Sequence, residues 1–168
     1  MNPEKRLLRL AVAGVCVLAA ASVHAASGTV DLVLDAKAKT YAVQMDESTV
    51  TASAGNGTLV FSHSSGRPFV DDESAVVEYV GFSRTTPSGL ELEADGVATF
   101  SAEDTLLLVF RRGSDDSGTS GEGNLQFTGG TGRFAGIAAQ CRYRTDHAAD
   151  DREVTVARCQ WVYSFPYR

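Results

Sequence analysis

Residues 125–136, LQFTGGTGRFAG, limit the folds open to this chain more than any other stretch. An apolar, strand-like run passes into four glycines and a Phe, then directly into a second polar–apolar segment, AAQCRYR. Gly129, Gly130, Gly132 and Gly136 supply the backbone freedom that a tight, positive-φ connection between strands requires. Beyond the N-terminal segment the chain shows no helical periodicity. Apolar and polar residues alternate over five to nine positions, punctuated by Gly, Asp, Ser and Pro. This predicts strands near 29–34, 40–45, 58–62, 75–83, 89–93, 97–101, 105–112, 124–128, 138–145 and 153–165, some of which should merge. Turns are expected at Gly55-Asn56-Gly57, at Asp95-Gly96, in the Gly/Ser-rich tract 113–123 and at 147–151. Many short strands without an internal repeat favour an all-β sandwich or barrel over a parallel α/β fold.

Alternation also assigns faces. Tyr41, Val43 and Met45 share one side of their strand. Leu106, Leu108 and Phe110 share a side, while Leu107 and Val109 take the other; a strand apolar on both faces is wrapped on both sides or faces a hydrophobic cavity. Glu78 shares a face with Val76 and Val80, and Tyr79 lies with Val77 on the opposite one. The last two strands read as a hairpin around Asp150. Cys141 opposite Cys159 sets Ala139 against Trp161 and Tyr143 against Ala157, a small-against-large pairing. It also sets Arg142 against Arg158, so either a carboxylate lies between them or the register differs.

The N-terminus reads as a secretory signal. Lys5, Arg6 and Arg9 precede an apolar run from Leu7 to Ala21, too short and Ala-rich for a membrane span, and cleavage is expected after Ala25. Cys16 follows Val15, too large for a lipobox. One domain, 26–168, would remain, with no further segment long enough to cross a membrane. The full chain carries a formal charge of −6, and loss of the basic leader makes the domain more acidic. An acidic exported domain is a poor partner for nucleic acid. Cys141 and Cys159 are then the only cysteines, and export favours a disulfide between them. Closing so short a loop adds on the order of 3 kcal/mol.

The run from Asp104 to Trp161 resembles the C-terminal half of the allene-oxide-cyclase/dirigent-like barrel family, of calycin type. The matching elements are EDTLLLVF, a polar loop, GNLQFTGGTGRFAGIAAQCRYR and the aromatic closing strand CQWVYSFP. The resemblance implies a single antiparallel eight-stranded β-barrel with a central cavity. It also implies a protein that holds a small hydrophobic guest in a chosen conformation. The family's active-site residues fall in the unmatched first half, so no catalytic residue transfers. Where the family often has Gly, this chain has Ala138-Ala139.

Other chemistry is thin. GGTGRFAG lacks the Lys-Ser/Thr of a phosphate-binding loop and the spacing of a dinucleotide fingerprint. Phe134 is expected to plug the barrel's end, with Arg133 solvated or paired to an acid. No G-x-S-x-G elbow is present, and His63 and His147 stand alone in polar loops. Asp115, Asp116 and Glu122 lack the spacing of a calcium loop. No metal and no cofactor is expected. The residues that best fit a pocket for a lipid or phenol are Glu78, Tyr79, Tyr143, Trp161 and Tyr163. The leading expectation is therefore an exported barrel that binds a small hydrophobic ligand. The alternatives are an isomerase or cyclase acting by confinement, and a non-catalytic structural or interaction module. Oligomeric state stays open.

Overall fold

The computed structural model describes residues 25–113, 121–148 and 152–164. Eight strands run in chain order: β1 (Ala25–Met45), β2 (Ser48–Ser62), β3 (Ser74–Thr86), β4 (Gly89–Thr99), β5 (Thr105–Arg112), β6 (Gly121–Gly130), β7 (Ile137–His147) and β8 (Arg152–Ser164). Each pairs antiparallel with the next, and β8 pairs with β1, closing the barrel. The expected all-β, eight-stranded architecture is the observed one. The expected signal peptide, 1–25, lies almost entirely outside the described residues, as do Asp115 and Asp116.

Two expected turns are corrected. Gly55-Asn56-Gly57 lies inside β2, and Asp95-Gly96 lies inside β4. The segments 29–34 and 40–45 merge into β1 in the same way. These glycines serve close approach rather than reversal. A Cβ on Gly55 would overlap the Tyr79 ring, and one on Gly57 would overlap Ala36.

Packing of the interior follows one row of partners. From Ala38 it passes to Gly55, Tyr79, Gly96, Leu108, Phe127, Ala139 and Trp161, and returns to β1 at Gly28. The row comes back displaced along β1, which is the stagger that tilts strands in a closed barrel. Tyr79 lies between Gly55 and Gly96, and Trp161 between Ala139 and Gly28, so the two rings fill the space left by small residues. Side chains of the opposite parity point out, which leaves Val76, Val80, Val97 and Leu107 exposed. The double apolar face of β5 is therefore inner core on one side and exposed surface on the other. A bulge at Thr128, between the Leu107–Gly129 and Leu108–Phe127 pairs, bends β6 toward its connection.

The β6–β7 connection seals one end. Gly129 and Gly136 have φ of 142° and 85°, and residues Gly132–Phe134 form a single 3-10 turn. This drops Phe134, fully buried, onto Phe100 and Phe69, with ring centroids 4.9 and 5.6 Å away. Phe61 stacks on Phe100 at 5.2 Å, and Phe69 meets Trp161 at 5.7 Å. Arg133 is paired, not solvated. Its Nη2 donates to Glu73 Oε1 at 2.6 Å, and its backbone N–H donates to Asp104 Oδ1 at 3.0 Å. The guanidinium lies over the Phe134 and Phe100 rings.

The Cys141–Cys159 disulfide forms inside the barrel, and β7 and β8 take the expected register throughout. The Arg142–Arg158 juxtaposition is real and is resolved by neighbours on both sides. Arg158 donates to both oxygens of Asp31 on β1, at 2.9 and 3.1 Å. Arg142 donates to Asn124 at 3.0 Å and reaches Glu122 at 3.9 Å on β6. Arg158 also holds the Asp31 carboxyl below its usual range, mainly through the hydrogen bond. A second bidentate pair, Arg152 to Asp35, completes the β1–β8 seam.

Candidate functional site

The end opposite the aromatic seal is open. There the inward row carries smaller and more polar residues, because β1, β2 and β3 contribute Ala38, Thr51, Ser53 and Ser83 where the closed end has Phe and Trp. A cavity of about 280 Å³ results. Its floor and walls are Leu34, Ala36, Leu92, Ala94, Phe110 and the rings of Tyr79 and Tyr143. Phe110 and Tyr143 meet edge to face, 5.6 Å apart.

A polar collar surrounds the mouth. Thr145 and Thr155 share a hydrogen bond of 2.7 Å between β7 and β8, and His147 Nδ1 stands 3.5 Å from Glu153 Oε1. Arg112 points inward above Phe110 and is buried, its guanidinium lying over Gly121, where no Cβ would fit. The Tyr79 hydroxyl is shielded from solvent and has no hydrogen-bond partner among the described residues. Burial, with the nearby Glu153 charge as a smaller cause, pushes its pKa up to about 12. Near neutral pH this phenol therefore keeps its proton and is not a base.

The structure brings Tyr79 and Tyr143 together in the cavity wall. Trp161 lies in the aromatic seal, and Tyr163, also buried, is one step further along β8 toward the chain end; neither lines the cavity. Glu78 faces outward beside Val80 and Val97. Alternation correctly separates its face from that of Tyr79, but does not say which face is the interior. Arg112 was missed, although it has the parity of Leu106, Leu108 and Phe110. His63 is exposed and stands 3.6 Å from Asp31. Among the described residues there is no cluster able to hold a metal ion, and no helix is long and apolar enough to cross a membrane. Comparison with protein-family models, curated proteins and solved structures found no match.

Proposed function

We propose that this is an exported barrel of the allene-oxide-cyclase/dirigent-like family that binds a small hydrophobic molecule in the open half of its interior. The observation that carries this reading is the apolar cavity beneath a polar collar, the usual form of a small-molecule site. Its volume is roughly twice the 150 Å³ cavity that accepts one benzene, which suits a guest of one or two rings. Leu34, Leu92, Phe110 and the two tyrosine rings would take up the apolar body. The threonines of the collar and Arg112 would meet a polar end near solvent. The internal disulfide and the signal-like leader support an exported, oxidising setting.

Titration with a fluorescent naphthalene probe, followed by native mass spectrometry, tests the site. The protein is expected to take up one probe per chain. Ala38→Trp, which places an indole at the mouth, should weaken uptake at least about tenfold without changing the circular dichroism spectrum. No uptake by the unaltered protein, or equal uptake by the variant, would overturn the reading. N-terminal sequencing of protein recovered after export should begin at Ala26.

A further inference from the structure

The closing strand β1 is longer than the barrel it closes. Its pairing with β8 stops at Lys37↔Arg152, whereas its pairing with β2 continues to Met45↔Ser48. Beyond the rim, residues 41–45 therefore have β2 on one side and, among the described residues, no strand on the other. Both faces of this overhang are open to solvent. Tyr41, Val43 and Met45 are 73, 61 and 56 % exposed. Exposed edges are ordinarily blunted by Lys, Pro, a bulge or a charge within the strand. The stretch Thr40-Tyr41-Ala42-Val43-Gln44-Met45 has none of these.

Its charges lie only at the ends, and they are opposite in sign: Lys37 and Lys39 before it, Asp46 and Glu47 after it. Such a strand is complementary to itself when antiparallel. A two-fold axis at Val43 sets Tyr41 against Met45 of the other copy and brings Lys39 beside the acidic turn, Asp46-Glu47, at the end of that strand. This keeps all outward side chains on one face. A parallel pairing of the two edges would instead set like charges together. The outward apolar surface also continues from Tyr41 across Ala52 to Phe82, which are cross-strand neighbours. Pairing two edges would merge both such surfaces into one.

We propose that the overhanging edge of β1 pairs with the same edge of a second copy of this chain, forming a two-fold dimer through a sheet continuous across both barrels. This surface lies beside the cavity mouth and is independent of whether the cavity binds a guest.

Sedimentation of protein purified from cells expressing the full chain tests it, across a concentration series at low and high salt. A reversible monomer–dimer equilibrium is expected, weaker at high salt. Ala42→Pro, which removes an N–H facing the free edge, should give monomer. Lys39→Glu alone and Glu47→Lys alone should each weaken the dimer about tenfold, since each brings like charges together at both ends of the paired edge. Mixing the two variants should restore it, because both pairs are then opposite in charge. If Ala42→Pro fails to fold, the mixing experiment decides. A monomer at every concentration overturns the proposal. So does an oligomer larger than a dimer, or a dimer indifferent to the charge exchange.

Discussion

The two ends of this barrel share the same eight strands and differ in what the inward positions carry. At the closed end, Phe61, Phe69, Phe100, Phe127, Phe134 and Trp161 converge, three of them delivered by connections rather than strands. At the open end, Ala, Ser and Thr take the corresponding positions and leave a hollow. The disulfide lies between: on β7, Cys141 has Ala139, which faces Trp161, on one side and Tyr143 on the other. The difference teaches that closure of the sheet does not fill the interior. Filling depends on side-chain volume, and here volume is concentrated at one end. Stability should therefore reside mainly in the seal, and binding in the hollow.

Substitutions that separate the ends sharpen this contrast. The largest effect should come from Phe134→Ala, which empties the centre of the seal and should cost about 3–5 kcal/mol in urea unfolding. Leu92→Ala, in the cavity wall and only half-buried, should cost about 1 kcal/mol. Equal losses would break the comparison. Replacing both Cys141 and Cys159 by Ala should lower stability by about 3 kcal/mol, since the bond spans a separation of 18 residues. Arg133→Gln, which leaves Glu73 and Asp104 without their cation, should cost about 1–2 kcal/mol and leave probe uptake unchanged.

The smallest effect belongs to Tyr79→Phe. The hydroxyl it removes has no partner among the described residues, so stability near neutral pH should change little. Its signature is alkaline. The folded protein holds the Tyr79 proton up to about pH 12, against an ordinary value of 10.0. That contribution is fully present below pH 10 and is lost as pH rises toward 12. The variant should lack this part of the alkaline decline, as read from urea midpoints at pH 9, 10 and 11.

The seal was more legible in the sequence than the hollow, for physical reasons. Gly129, Gly132 and Gly136 announce a constrained connection because few other residues adopt those backbone angles, and Phe134 is the one large apolar side chain within it. The β7–β8 register was legible because two cysteines fixed it, and small residues faced large ones. The hollow carries no such marker, because Ala38, Ser53 and Thr155 are unremarkable singly and act only through what they leave empty. Gly55 and Gly57 misled because a glycine freeing a turn and a glycine admitting a neighbouring ring look alike in sequence. The outward placement of Glu78 was not legible, because alternation pairs residues on a face without saying which face is inside.

The barrel is sealed by aromatic rings at one end and hollow at the other, where we propose that a guest enters. Methyl and aromatic NMR shifts during titration with indole would separate the two ends. Saturable shifts are expected at Leu34, Ala36, Leu92, Ala94, Phe110 and Tyr143, with Phe61, Phe69 and Phe134 unmoved. Shifts centred on the phenylalanine cluster, or none at the cavity wall with indole at its solubility limit, would contradict the proposed guest site.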